Sequence, residues 1–389
     1  MNRSFLLLLL GGTALAAPAR AQDAERYLAV HCEPDTAGPE AFDALRQLVF
    51  EADARHIRLT VGFSPSWAEM LLAEPPLLDE VRGWQLRGHE IAAHHHDVHA
   101  EVWDGYSDLR PGQIDRPEPW RGTMADFRDL LAAVAGPPGL RSASMPSASW
   151  EWPYGVPFRY DGAEGVEALP AEFRIENHYG VWTVRNVGLS GPGILLDLEI
   201  LLREARPPRV LGVATHVRDF QADPGLVLGW MDAVAALDPL GLRNRTVAEI
   251  LEPMPPALTA DPPLLDGAQG GLLRLELRTL PFLAGLEYRF LLSFSGITPG
   301  TDWNGVYDEG VHIGLNRDAW TERVLELAGE PGPFQDFRGL TGPDGGAAAF
   351  LDLGPLPPSL LGRDAVFAGL VLVPEGIAFS SNPAVVAVR

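Results

Sequence analysis

The sequence predicts an α/β chain in which a β/α barrel over residues 22–251 is followed by a small all-β sandwich over residues 267–389. Short apolar runs alternate with amphipathic stretches from Tyr27 to about Leu251, which predicts β and α units around a mostly parallel sheet. A proline-rich segment over residues 252–266 then changes the composition of the chain. Beyond it, apolar runs are separated by Gly and Pro, which is typical of a sandwich.

The barrel strands are predicted from short apolar runs, and the helices between them from apolar residues at helical spacing. The candidate strands are Tyr27–Cys32, Ile57–Phe63, His89–His94, Leu140–Ser144 and Val210–His216. Helical spacing is clearest in two sets of residues, namely Phe42, Leu45, Val49 and Ala52, and Leu226, Trp230, Val234 and Leu237. We expect these helices to cover the outside of the sheet, with functional side chains at the carboxyl ends of the strands.

The segment over residues 252–266 is expected to be a linker, because its prolines oppose both helix and central strand. The sandwich strands are predicted from three later runs, Gly271–Leu277, Tyr288–Phe294 and Ala384–Val388. A separate domain behind such a linker predicts a role in attachment or substrate targeting.

The segment from Met1 to Ala21 has the pattern of a cleaved secretory signal, with Arg3, a short apolar run and small residues before the expected cut after Ala21. That run is too short to span a bilayer, which takes about 20 apolar residues. The mature protein is therefore expected to be secreted or periplasmic, without a membrane span.

The charge of the chain limits its possible partners, and its cysteine content limits the source of its stability. The net charge of −22 opposes binding to phosphate backbones, so nucleic acid is not expected as a partner. The single cysteine, Cys32, excludes an intramolecular disulfide, so stability must come from the hydrophobic core.

Histidines are concentrated in one segment, since five of the ten lie between His89 and His99. Neutral imidazole is a good ligand for zinc and related divalent ions. His95 and His99 are four residues apart and would converge on one ion if the segment turned helically. The segment therefore predicts a divalent metal site, most simply for zinc.

A third ligand is predicted at the end of the first strand. The two-residue period of a strand puts His31 and Glu33 on the same face, and Asp35 follows after Pro34 has ended the strand. A hydrolytic zinc site commonly uses two histidines and a carboxylate. The other interpretation of Glu33 and Asp35 is a solvated loop or a cap for the next helix.

Three segments resemble motifs of the NodB-type polysaccharide deacetylases, carbohydrate esterase family four, in the glycoside hydrolase/deacetylase barrel superfamily. They are Val30–Asp35, Gly88–His94 with its continuation to His99, and Val213–His216. The order and spacing of the segments agree with the family. The resemblance covers about residues 27–251 and implies a deacetylase-type barrel.

The resemblance implies that Glu33, His95 and His99 hold a divalent metal. This assignment needs a one-residue insertion, and without the insertion His94 is the ligand. The resemblance also implies that His216 is the general acid that protonates the departing amine.

The base is less well defined by the resemblance. The family usually has an aspartate where this chain has His31, so base function passes to His31 or Asp35, or is absent. Arg141 falls where the family often places an arginine that orients the base, and a surface arginine is an equally good interpretation.

The expected function is a secreted, metal-dependent hydrolase that removes acyl, typically acetyl, groups from an extracellular saccharide by cleaving a C–N bond other than a peptide bond. The alternatives are a catalytically impaired carbohydrate-binding protein on the same barrel, or an amide or glycoside hydrolase of the superfamily.

Overall fold

The computed structural model describes residues 24–109, 111–137, 139–145, 151–304 and 310–389. The expected signal segment, Met1 to Ala21, lies outside these ranges. Within the ranges, no helix is long and apolar enough to cross a membrane.

The first part of the chain alternates strands and helices as predicted. Its strands are β1 (Glu25–Cys32), β2 (Leu59–Phe63), β3 (Glu90–His94), β4 (Ser142–Ser144), β5 (Phe158–Gly162), β6 (Leu169–Pro170), β7 (Glu172–Glu176), β8 (Tyr179–Gly188) and β9 (Arg209–His216). Its α-helices are α1 (Pro39–Ala54), α2 (Pro65–Ala73), α3 (Pro75–Leu86), α4 (Met124–Ala135), α5 (Pro192–Glu204), α6 (Val217–Ala222), α7 (Pro224–Leu237) and α8 (Val247–Leu251). The five strands predicted from the sequence all end at the predicted residue.

Seven of these strands form a closed parallel barrel, which confirms the predicted fold class. The order is β1, β2, β3, β4, β5, β8 and β9, and the pairing of β9 with β1 closes the ring. The remaining strands β6 and β7 pair antiparallel on the outside of this ring. All seven carboxyl ends therefore meet at one mouth.

Strand β1 shows why both faces of the barrel strands are apolar. Tyr27 and Ala29 point into the barrel, where they pack with Tyr160. Leu28 and Val30 point outwards and pack under the helices. By the same alternation, the next inward position after Ala29 is His31.

The second part of the chain is a small β-domain. Its strands are β10 (Leu258–Asp261), β11 (Leu264–Leu265), β12 (Gly271–Leu277), β13 (Glu287–Ser293), β14 (Thr301–Asn304), β15 (Gly310–Ile313), β16 (Phe334–Gln335), β17 (Arg338–Leu340), β18 (Ala347–Leu353), β19 (Asp364–Val373), β20 (Gly376–Ser380) and β21 (Ala384–Val388), with one helix, α9 (Ala319–Leu327). A sheet of β10, β12, β18 and β16 packs against strands β13, β17, β19 and β21. Their shared core contains Phe290, Phe337 and Phe367.

The segment expected to be a linker, residues 252–266, is instead partly in sheet. Strand β10 pairs antiparallel with β12, and β11 pairs with β21. The prolines do not prevent this, because Pro262 and Pro263 fall between the two short strands and therefore remove no ladder hydrogen bond.

The β-domain packs directly against the barrel. Leu291, Val311 and Ile313 are fully buried in the same apolar cluster as the barrel helices. Strand β20 also continues the sheet beside β8, with Ser380 paired to Tyr179. The two parts of the chain therefore share a core.

Candidate metal centre at the mouth of the barrel

Four ionisable side chains converge where strands β1, β3 and β9 end. His31 is the last inward residue of β1, and Glu33 follows one residue after that strand. His94 and His216 are the final residues of β3 and β9. The carboxyl ends of barrel strands are where active sites are usually assembled.

The ring of His31 lies at the centre of this group. It stacks on the ring of His94 with centroids 4.3 Å apart and meets the edge of the His216 ring at 5.2 Å. Burial, followed by the charges of His94 and His216, holds the pKa of His31 well below its ordinary value. His31 is therefore neutral and able to act as a ligand at neutral pH.

The two carboxylate oxygens of Glu33 contact the Nε2 atoms of three imidazoles. Oε1 lies 3.2 Å from Nε2 of His216 and 3.4 Å from Nε2 of His94, and Oε2 lies 2.8 Å from Nε2 of His96. Its backbone carbonyl accepts a hydrogen bond of 3.0 Å from the Trp67 indole. Glu33 is thus fixed at both its main chain and its side chain.

The protonation of Glu33 follows from these contacts. Burial opposes the charged form, but the hydrogen bonds with His94 and His96 prevail and hold its pKa well below the ordinary range. Glu33 therefore supplies a permanent negative charge at the mouth of the barrel.

Two of the surrounding imidazoles have their tautomer set by a second contact. Nδ1 of His216 donates to Oδ2 of Asp219 at 2.7 Å, and Nδ1 of His96 donates to the carbonyl of Val102 at 2.9 Å. In the neutral rings both Nε2 atoms then carry lone pairs that face Glu33. Lone pairs facing a carboxylate require a positive charge between them, supplied by protons or by a cation.

The donor set fits a divalent metal ion. Single ligand atoms of His31, Glu33 and His94 all lie within 4.8 Å of one another. In addition, Nε2 of His31 and Nδ1 of His94 are buried and have no hydrogen-bond partner in the described structure. Buried polar atoms normally have partners. Two imidazoles and a carboxylate match the ligands that catalytic zinc sites use.

His95, which the resemblance made a ligand, points away from this group. Its Nδ1 lies 2.9 Å from Oδ2 of Asp104 and its Nε2 lies 3.0 Å from Oε2 of Glu151, with all three side chains buried. These two carboxylates outweigh burial and raise the pKa of His95 to about 10. His95 faces away from the site because the chain is extended here, so successive side chains point to opposite sides.

The other expected site residues also lie outside the group of converging ligand atoms. His99 is exposed, and Asp35 is exposed in a one-turn 3-10 helix over Pro34–Thr36. Arg141 precedes β4 and therefore lies at the amino end of the barrel, where it pairs with Glu252 at 3.4 Å. Its guanidinium also lies over the ring of Phe158, so Arg141 is not placed to orient a base at the mouth.

Two residues of the site were not singled out from the sequence. His96 shares the face of His94 because the two are two residues apart in extended chain, and this spacing was available as a signal. Asp219 follows His216 by three residues and also accepts the His216 backbone N–H at 3.3 Å. An acidic residue three positions after a strand-ending histidine was the corresponding signal.

No protein-family profile matches the chain. A tRNA (guanine-N(1)-)-methyltransferase of Parafrankia sp. (strain EAN1pec) is 30% identical over 89 residues, which is 21% of this chain and 31% of that protein. The match thus spans about a third of the length of that relative, and it does not define a family.

Solved structures that resemble the chain include a polysaccharide deacetylase, described as putative, from Mycobacterium smegmatis, with 14% identity, a TM-score of 0.37 and coverage of 59% of this chain and 90% of that one. A 4-alpha-glucanotransferase from Thermococcus litoralis has 12% identity, a TM-score of 0.40 and coverage of 59% and 40%. A carbohydrate esterase family four pseudoenzyme from Bacillus anthracis has 11% identity, a TM-score of 0.33 and coverage of 59% and 66%.

Proposed function

We propose that this protein is an exported, divalent-metal-dependent hydrolase that removes acyl groups, typically acetyl, from amino groups of a saccharide. The observation that carries the proposal is the arrangement of His31, His94, His96 and His216 around the carboxylate of Glu33. The motif order described above, which resembles the NodB-type deacetylases, supports the choice of substrate class.

In this proposal His31, Glu33 and His94 hold the ion, and His96 stands beside them against Glu33. A bound zinc ion would polarise the acyl carbonyl and lower the pKa of water. Asp219 fixes the ring of His216 so that Nε2 faces the mouth and can exchange a proton with the reactants.

His216 is proposed as both base and acid, because His31 is taken as a ligand and Asp35 is exposed. Nε2 accepts a proton from the attacking water as the new C–O bond forms. It returns that proton to the nitrogen as the C–N bond breaks, which leaves a carboxylic acid and a free amine. Arg141 and Asp35, which were expected to assist, have no part in this scheme.

The test combines metal analysis with product analysis on the mature protein. We expect about one bound ion per chain and acetate release from N-acetylated glucosamine oligomers, both lost in Glu33→Ala. His99→Ala is the matched control, since it removes an exposed histidine of the same segment. Absence of bound zinc, cobalt or nickel in the wild-type protein would reject the proposal.

A second candidate is a carbohydrate-binding protein that has lost hydrolysis. It is favoured by one observation, that among the described residues the carboxylates touching the site, Glu33 and Asp219, are both bonded to imidazoles. No free carboxylate base is therefore offered there. Acetate release that disappears in His216→Ala would exclude this candidate, whereas saccharide binding without acetate release would favour it.

A further inference from the structure

A cavity of about 790 Å³ lies between the barrel and the β-domain. Its apolar wall consists of Phe173 in β7 together with Pro255, Pro256 and Leu280. The backbone of this wall is fixed, since the Trp182 indole donates to the carbonyl of Pro255 at 2.9 Å. The described lining shares no residue with the metal centre, so the chemistry of this cavity is separate from that of the barrel mouth.

Two opposite charges line the cavity without pairing with each other. Arg278 and Asp344 are both exposed, and within the described chain the guanidinium of Arg278 makes no hydrogen bond or ion pair. Oδ1 of Asp344 accepts the Gly346 N–H at 3.0 Å, whereas its Oδ2 has no partner in that part of the chain. The other acidic residue of the lining, Glu276, is paired with Arg274 at 2.5 Å. One positive and one negative group are thus left to meet a ligand.

The backbones that carry these two charges are joined to each other. The hydroxyl of Thr279, the residue after Arg278, donates to the carbonyl of Gly345 at 2.5 Å. Gly345 has a φ of 81°, in the left-handed region that favours glycine, and a Cβ atom built there would lie 2.3 Å from the carbonyl oxygen of Leu280. The backbone positions of Arg278 and Asp344 are therefore fixed relative to each other.

We propose that this cavity binds an amino acid or a short peptide with free ends and an apolar side chain. A guanidinium binds a carboxylate through two parallel hydrogen bonds, which fits Arg278 to the α-carboxylate. The ammonium group of the same ligand fits Oδ2 of Asp344, since both ends of a peptide are charged at neutral pH. An apolar side chain packs on Phe173 and the two prolines. The volume is suitable, because cavities of roughly 300–1,000 Å³ are typical of small-molecule sites.

The two charges of the cavity also argue against simpler ligands. A plain anion would meet the carboxylates of Asp344 and Glu276 as well as the guanidinium, and a plain cation would leave Arg278 unpaired. A ligand that carries both charges satisfies both sides. The site needs neither a metal nor a saccharide, so it does not rest on the proposed function.

The test measures by calorimetry the binding of the tripeptide Ala-Leu-Ala to the full-length mature protein, beside the same peptide with an acetylated N-terminus or an amidated C-terminus. We expect the wild-type protein to bind the free peptide about tenfold or more tighter than either blocked form, because each block removes a hydrogen-bonded charge. Leucine identifies the source of the ligand. Equal affinity for leucine and the tripeptide assigns the site to free amino acids, and tighter binding of the tripeptide assigns it to peptides.

Two variants separate the two ends of the ligand. Arg278→Ala is expected to abolish the preference for the free C-terminus over the amide and to keep the preference for the free N-terminus. Asp344→Asn should do the reverse, and its Oδ1 can still accept the Gly346 N–H. Arg363→Ala and Asp352→Asn are matched controls, since both residues are exposed, have no side-chain partner within the described chain and lie outside the cavity lining.

Absence of binding to the wild-type protein, or equal affinity for the free and the blocked peptides, would overturn the site. So would an Arg278→Ala protein that still distinguishes the acid from the amide, or a loss in the control variants as large as that in Arg278→Ala. Zinc binding and acetate release are measured separately, so failure of the proposed function leaves this result unchanged.

Discussion

Nε2 of His216 lies 3.2 Å from Oε1 of Glu33, so side chains at the ends of the neighbouring strands β9 and β1 meet at the barrel mouth. The same carboxylate also contacts His94 and His96. Each imidazole is therefore oriented partly by Glu33, and a change at this one residue affects the whole site.

Glu33→Gln keeps the shape of the side chain but removes its charge. We expect it to lower zinc affinity by about 100-fold or more, because a charged ligand is lost and the imidazole contacts weaken together. Competition with a chromophoric chelator measures the affinity. His99→Ala should bind zinc as the wild type does, and a large loss in that variant would restore His99 as a ligand.

His216→Ala should lower kcat by about 10²–10⁴-fold, the usual contribution of a general acid or base, with a smaller effect on KM. Asp219→Asn should lower kcat by about 10-fold to 100-fold, because the ring of His216 loses the partner that fixes its tautomer. Steady-state acetate release gives both values. Equal activity of Asp219→Asn and wild type would show that the 2.7 Å contact does not orient the base.

The buried cluster of His95, Asp104 and Glu151 is expected to stabilise the segment that presents His94. His95→Leu leaves two buried carboxylates without their partner and should lower the free energy of unfolding by about 3–5 kcal/mol. Urea denaturation of the metal-free protein measures this change.

Arg46→Ala is the control for that measurement. It removes a half-exposed ion pair with Glu80 and should cost less than about 1 kcal/mol. Similar losses in the two variants would mean that the buried cluster adds little to stability.

The buried carboxyl group of Glu90, at the amino end of the barrel, is expected to make the free energy of unfolding depend on pH. Burial raises the pKa of Glu90 above its ordinary value of 4.5, although the Ala248 N–H and the hydroxyls of Ser142 and Thr60 donate to its carboxyl group. The folded state therefore binds this proton more tightly than the unfolded state does. Stability from this group is complete below pH 4.5 and is lost as the pH rises through the folded-state pKa.

Glu90→Gln should remove this dependence, because the amide stays neutral while keeping most of the hydrogen bonds. The free energy of unfolding of the variant, relative to wild type, should increase between about pH 4.5 and pH 8. Urea denaturation across that range measures it. A difference that stays constant with pH would contradict the raised pKa.

Truncation after Leu251 should destabilise the barrel, although a linker followed by an independent domain would predict little effect. The cut would expose the barrel side of the shared core, where Val311 and Ile313 are now fully buried. We expect low solubility or a loss of several kcal/mol of stability, on the scale of removing large core side chains. A soluble fragment with cooperative unfolding and wild-type zinc affinity would contradict this.

Much of the barrel could be predicted because β1, β3 and β9 are apolar runs with polar residues at their ends. Strand geometry correctly put His31 and Glu33 on one face. The same rule puts His94 and His96 on one face of the chain and His95 on the other. The helical spacing of His95 and His99 favoured those two residues as metal ligands, but the chain is extended there.

The remaining features depend on contacts between distant residues or on local patterns that polar residues interrupt. Glu151 meets His95 from 56 positions further along the chain, and no local pattern indicates that contact. The predicted strand began at Leu140 and β4 begins at Ser142, so Arg141 belongs to the loop before the strand. Strand β5 was missed because Arg159 and Asp161 interrupt its apolar pattern.

The contact between the imidazole of His178 and the carbonyl of Ala378 joins residues 200 positions apart, 3.4 Å from each other. Its neighbour Tyr179 begins the barrel strand β8 and pairs with Ser380, so this contact with the β-domain can form only when about 200 further residues of the chain are present. Native contacts of this range close slowly, and the nascent chain keeps apolar surface exposed while it waits. The barrel is thus expected to reach its final state only together with the β-domain, as one folding unit.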